Sequence, residues 1–221
     1  MKLDDVKDKI PGPLYNSLVP DIDKFRPCQE KAIKKGLLDR KNLLVCTPTA
    51  SGKTLVAEMA MIKNILDEKK KAIYIVPLKA LANEKFKEFK KKYGLYIKVA
   101  LSIGDLDSAD PYLEQYDLIV CTAEKLDSLI RHHAPWLGKV GTVIIDEIHL
   151  MDSPGRGPTL EILITILREL LENKIQLIGL SATIGNPKEL SEWLDANLII
   201  DNWRPVKLHK GVYDGEKIEI K

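Results

Sequence analysis

The sequence predicts an α/β fold built on a mainly parallel sheet with helices on both faces. Three observations lead there. Short runs dense in β-branched and aliphatic residues recur along the 221 residues. Most are continuously apolar rather than alternating, as strands covered on both sides must be. Helical periodicities fall between them with short spacers, the order of successive strand–helix units.

Taken in order, the strand runs are Asn42–Cys46, Ala72–Val76, Lys98–Leu101, Asp117–Cys121, Thr142–Ile145, Gln176–Leu180 and Asn197–Ile200. A helical pattern, Leu55 to Leu66, follows the first. After the second, Leu78, Leu81, Ala82, Phe86, Phe89 and Tyr93 step by three and four residues, while Lys79, Lys85, Lys87 and Lys90 to Lys92 fall mainly on the other side, a solvated face. Asn186-Pro187-Lys188-Glu189 reads as a helix start, with Asn186 as cap, Pro187 in the first helical position and Glu189 completing a capping box. The loops richest in turn residues are Ser102–Pro111 and Asp152–Pro158.

Composition narrows the class. Hydrophobic residues make up 45% and charged residues 30%, a globular balance that excludes long disorder. A net charge of +2 does not by itself argue for a nucleic-acid partner. Cys28, Cys46 and Cys121 are too scattered for a disulfide scaffold and form no CxxC pair. The start, MKLDDVKDKI, has no apolar signal core, and the longest apolar stretch, Leu160 to Leu171, is interrupted by Glu161, Arg168 and Glu169, short of the ~20 residues a bilayer needs. The expectation is a soluble, reduced, intracellular chain without a membrane partner. Its few glutamines (Gln29, Gln115, Gln176) hint at a hot-living source.

In parallel sheets ligands gather beyond the carboxyl ends of the strands. Directly after the first strand comes Thr47-Pro48-Thr49-Ala50-Ser51-Gly52-Lys53-Thr54, then a helix, the context of a phosphate-binding loop. Backbone N–H groups around Thr49 to Lys53 can converge on phosphates at the positive helix end. Gly52 lets the main chain approach closely, Lys53 brings a mobile cation to the β- and γ-phosphates of ATP, and Thr54 offers a hydroxyl to Mg²⁺. Thr47 stands where the motif usually has its first glycine. The second half is Asp146-Glu147-Ile148-His149, at the end of Val143–Ile145. Asp146 would hold Mg²⁺, usually through water, and Glu147 would polarise the attacking water as general base.

Six segments carry a family resemblance: Phe25-Arg26-Pro27-Cys28-Gln29, the loop 47–54, Val76-Pro77-Leu78-Lys79-Ala80-Leu81, Thr122-Ala123-Glu124-Lys125, Asp146-Glu147-Ile148-His149 and Ser181-Ala182-Thr183. In order and spacing they resemble the motifs of superfamily 2 helicases, in spelling the Ski-like branch, and within it the archaeal Hjm-type DNA repair helicases. Gly155 to Glu161 and the ending Asn202-Trp203-Arg204-Pro205-Val206 support the narrower likeness.

The resemblance implies a RecA-like P-loop ATPase domain. It makes Gln29 the reader of adenine, whose edge suits an amide's paired donor and acceptor. Ser181, Ala182 and Thr183 would sense the γ-phosphate and link two lobes, with His149 as relay. Pro77, Lys79, Ala80, Thr122, Glu124 and Lys125, extended by Arg156, would grip one nucleic-acid strand through its phosphates. The domains expected are a lead-in over 1–24, the ATP-binding domain over 25–201, and over 202–221 the start of a crossing to a second RecA-like lobe. No later arginine-bearing motif occurs, so the chain reads as a first lobe alone, binding Mg·ATP and single-stranded or forked DNA in an archaeal repair helicase of 3′-to-5′ polarity. A Ski-like RNA helicase, a non-catalytic nucleotide switch and a P-loop kinase remain as alternatives.

Overall fold

The structure, a computed structural model, describes residues 1–104, 109–155, 157–170, 175–206, 211–213, 215 and 218–220. A 3-10 turn at Asp4–Lys9 leads to helices α1 (Gly12–Leu18) and α2 (Pro27–Lys34). Then follow β1 (Leu43–Cys46), α3 (Lys53–Glu68), β2 (Lys71–Val76), α4 (Lys79–Tyr93), β3 (Val99–Ser102), β4 (Leu118–Thr122), α5 (Ala123–Arg131) and β5 (Val140–Ile145). The order ends with α6 (Gly157–Leu170), β6 (Gln176–Ser181), α7 (Pro187–Trp193), β7 (Asn197–Ile200), β8 (Gly211–Tyr213) and β9 (Ile218–Ile220).

Seven strands form one sheet in the order β3-β4-β2-β5-β6-β1-β7, and every neighbouring pair is parallel. All seven strands expected from apolar runs are present. Successive residues of β1 point to opposite faces: Leu43 and Val45 join one core with α1 to α4, Leu44 and Cys46 a second with α5 and α6. Both faces are covered, hence the continuous apolar runs. β8 and β9 form a separate antiparallel pair that the sequence reading did not foresee. Among the described residues no helix is long and apolar enough to cross a membrane.

Two details differ from expectation. The lead-in is part of the fold: Leu3, Val6, Ile10, Leu14 and Leu18 are buried in the first core, and α1 packs on α3. At α7 the side chain of Asn186 makes no cap; its amide donates to Glu189 Oε2 at 3.3 Å instead, so the expected capping box does not form.

Register sets up the site. Cys46 pairs with Ser181, Ile145 with Gly179, Ile75 with Ile145 and Val76 with Thr122. The segments after β1, β6, β5, β2 and β4 therefore leave the same edge of the sheet, and they are five of the six motif segments.

Candidate active site

The loop between β1 and α3 is shaped from both sides. Ala50 and Gly52 have φ of +64° and +92°, in the left-handed region. A Cβ on Gly52 would stand 2.5 Å from Gln29 Nε2 and 3.0 Å from Arg26 Cδ, so this position needs glycine for space as well as torsion. Thr47 has a buried hydroxyl 2.8 Å from Ser51 Oγ, and its N–H donates to Ser181 O at 3.2 Å. A side chain in place of the motif's usual first glycine thus ties the two ends of the loop together.

The start of α2 grips three consecutive loop carbonyls. Arg26 Nη1 donates to Ala50 O (2.9 Å), Cys28 Sγ to Ser51 O (3.4 Å) and Gln29 Nε2 to Gly52 O (3.0 Å). Burial raises the Cys28 thiol, which keeps its proton for this bond. In a trans peptide the next N–H points opposite to the carbonyl. Holding these carbonyls toward α2 aims the Gly52 and Lys53 amides the other way, at the helix start. The amides of Thr49, Ala50, Gly52, Lys53 and Thr54 have no hydrogen-bond partner among the described residues. Unpaired N–H groups at the positive end of a 16-residue helix make an anion site.

Facing the loop, β5 ends in the acidic pair. Lys53 is nearly buried, with Nζ 3.5 Å from both carboxylate oxygens of Glu147. Glu147 has φ of +53°, an uncommon torsion for a residue with a side chain, and its N–H donates to Asp146 Oδ1 at 3.0 Å. Tyr74 donates its hydroxyl to Asp146 Oδ2 at 2.8 Å. Burial raises the Asp146 carboxyl above the usual aspartate range, and the Tyr74 hydrogen bond pulls it partly back. Oxygen donors, one carboxylate and the Thr54 hydroxyl, suit a hard cation that keeps most of its other ligands as water and substrate phosphate. No group of three or more acidic, histidine or cysteine side chains that could cage a metal exists among the described residues.

The segment expected to couple two lobes is contiguous with this centre. Ala182 N–H donates to His149 Nδ1 at 3.3 Å, and the same nitrogen lies 3.3 Å from Glu147 Oε2. Nδ1 serves one partner at a time: it accepts from Ala182 when unprotonated and can donate to Glu147 only when protonated. Ser181 has a buried hydroxyl with no oxygen or nitrogen partner among the described residues, and Thr183 is exposed. A chain of contacts therefore runs Thr47–Ser181–Ala182–His149–Glu147–Lys53.

Gln29 lies against the loop with both amide ends in use, since Oε1 accepts from Arg26 N at 2.9 Å while Nε2 holds Gly52 O. Pro77 is half-buried, and Lys79, Ala80 and Glu124 are exposed, beside one another because β2 and β4 are neighbours. A small cavity lined by Val76, Pro77, Glu124, Ile145, Asp146 and Glu147 lies between them and the acidic pair. Thr122 and Lys125 depart from the expected strand-gripping role. Thr122 is buried and caps α5 through Lys125 N at 3.4 Å. Lys125 is 1% exposed and ion-paired with Asp110 at 3.0 Å, so its charge is turned inward rather than offered to a phosphate. Arg156 lies outside the described residues.

Sequence reasoning gave no separate role to Arg26, Cys28, Tyr74 or Asp110. The signals available were a tyrosine inside an aliphatic strand and the residues flanking Gln29.

A phosphate loop after β1 and an acidic pair after β5, on an all-parallel seven-stranded sheet, define a RecA-like nucleotide-binding domain of the P-loop NTPase class. The family model described as DEAD/DEAH box helicase matches residues 26–190, and the chain belongs to that family. It is 57% identical over 206 residues to the ATP-dependent DNA helicase Hel308 of Methanocaldococcus jannaschii, covering 90% of this chain and 17% of that protein. To the Hel308 of Pyrococcus abyssi it is 56% identical over 192 residues, covering 87% and 26%. The chain thus spans about a quarter or less of the length of these curated relatives. Among solved structures, the DUF1998 helicase MrfA bound to DNA and AMPPNP matches with a TM-score of 0.76 and 28% identity over 88% of this chain and 30% of that one.

Proposed function

We propose that this chain is the ATP-binding first lobe of an ATP-dependent DNA helicase. In this reading a second RecA-like lobe, reached through residues 202–221, completes the ATP site, and the motor moves 3′ to 5′ on single-stranded or forked DNA during repair. The observation that carries it is the Lys53–Glu147 contact at 3.5 Å, which brings the two halves of the ATP site together. The names of the Hel308 relatives favour DNA over RNA, and their sources favour an archaeal cell interior.

The geometry supports the following roles. Loop amides and Lys53 take the triphosphate, while Asp146 and Thr54 hold Mg²⁺. When bound, the ion would supply charge neutralisation to the transferred phosphoryl group. As Lys53 turns from Glu147 to phosphate, the Glu147 carboxylate is released to accept a proton from the attacking water. Gln29 exchanges one of its protein hydrogen bonds for the adenine edge. Ser181, Ala182, Thr183 and His149 pass the γ-phosphate's presence to the other lobe. Pro77, Lys79, Ala80 and Glu124 lie along the path of the DNA strand, and nonspecific phosphate contacts make binding salt-sensitive.

Mg·AMPPNP at a hundred times its Kd should stabilise the fold by about 2.7 kcal/mol, raising the melting temperature by roughly 5–10 °C. Lys53→Ala should abolish most of that rise in the same thermal scan. If the rise survives, Lys53 does not hold the phosphates and the site is misassigned.

A further inference from the structure

Tyr74 has a polar group where none is needed for packing. It is fully buried in β2, its ring edge-on to Phe89 of α4 at 5.0 Å and 65°. Phenylalanine would fill that space equally well, and a buried hydroxyl is unfavourable unless it is paired. Its pair is Asp146 Oδ2, at 2.8 Å. The other carboxylate oxygen, Oδ1, accepts from Glu147 N at 3.0 Å, and the Asp146 backbone is fixed by its own N–H to Ile75 O at 2.9 Å.

A carboxylate has about four lone-pair sites. Among the described residues each oxygen gives one to the protein and keeps one. The last torsion of an aspartate is a broad, weakly restrained rotor. Two donors on opposite oxygens convert it into a fixed plane, and the stiffer of the two anchors is the Tyr74 ring, clamped between the sheet and α4.

We propose that Tyr74 is a positioning residue for magnesium: its hydroxyl sets the rotation of the Asp146 carboxylate so that the remaining lone pairs face the ion or its bound water. This rests on the reading of Asp146 as the magnesium carboxylate. Tyr74 touches neither nucleotide nor metal and acts only through Asp146.

Tyr74→Phe removes the hydroxyl and keeps the ring. The measurement is binding of a fluorescent ATP analogue across a Mg²⁺ titration, with a magnesium-free arm and a melting curve. The expected result is unchanged magnesium-free affinity, with half-saturating Mg²⁺ raised by roughly 10-fold or more, the usual loss for an outer partner of a metal ligand. Half-saturation equal to wild type overturns the proposal. If wild type itself shows no magnesium dependence, the site reading fails instead. Should the variant not fold, the wild-type protein still decides by NMR. A slowly exchanging Tyr74 hydroxyl proton that shifts when Mg²⁺ joins the nucleotide supports the role, and one unmoved by Mg²⁺ overturns it.

Discussion

Asp146 sits where an ionised carboxylate is unfavourable. Burial is the largest influence on it and raises its pKa; the hydrogen bond from Tyr74 lowers it, the charge of Glu147 raises it, and Lys53 and Lys85 lower it. The net direction is upward, and for an acid that direction is destabilising near neutrality. The unfolded chain ionises the group more readily, so the penalty is absent below the ordinary aspartate value of about 3.9 and fully present above the raised folded one. Glu147 adds backbone strain at φ of +53°. A site that stores unfavourable charge and torsion until a cation arrives should trade stability for function. Asp146→Asn is therefore expected to melt above wild type at pH 7 without ligand, with the gap narrowing toward pH 4. The same variant should lose the magnesium-dependent part of nucleotide stabilisation. Melting curves at several pH values, with and without Mg²⁺ and nucleotide, check both halves; a variant that melts below wild type at pH 7 would show that burial is not the dominant influence.

The helix α5 shows how a charged residue can be misread. From sequence, Lys125 stands in a strand-gripping motif; in the fold its side chain lies inside, 3.0 Å from Asp110. Breaking a largely buried pair by removing one member costs up to about 3–5 kcal/mol, whereas an apolar replacement of both is often near neutral. Asp110→Asn should lower stability by about 3 kcal/mol in a denaturant titration, and adding Lys125→Met should recover most of it. Additive losses would mean that the two side chains are not energetically coupled. This pairing joins a loop before Pro111 to a helix after β4, and nothing local in the chain announces it. The strands were readable for the opposite reason: a strand covered on both faces is apolar at every position, as Val143–Ile145 and Ile73–Val76 are, and that pattern is local. The strand–loop–helix context of residues 47–54 was readable because the motif's spacing fixes where the strand ends and the helix begins. Residues 1–24 were not, because their buried aliphatic residues are spread over a 3-10 turn, a seven-residue helix and the positions flanking them, each too short for a period to emerge. The grip of Arg26 and Cys28 on loop carbonyls was hidden too, since such contacts depend on where α2 lands.

The fold gathers the loop after β1, the acidic pair after β5 and His149 on one edge of the sheet, where the proposed ATP site lies. What phosphoryl transfer also needs is positive charge on the transferring group, commonly an arginine, worth ~10³–10⁵ in rate. Arg26, the arginine that borders the loop, spends its guanidinium on Ala50 O and lies 5.5 Å from the Trp203 ring centroid. It is engaged in shaping the loop and in holding the first residues after β7 against it. Under the proposed reading the loop and acidic pair bind a triphosphate and polarise water, and because Arg26 is already engaged with Ala50 O the charge on the γ-phosphate has to come from elsewhere. The 221-residue chain should bind Mg·ATP and hydrolyse it at least ~10³-fold more slowly than a longer protein carrying both lobes. Single-stranded DNA should stimulate the longer protein and leave the short chain almost unchanged. A phosphate-release assay on both, each with its Lys53→Ala control, decides the matter: strong DNA-stimulated turnover by the short chain, lost on Lys53→Ala, would mean that one lobe suffices and that the charge on the γ-phosphate comes from within it.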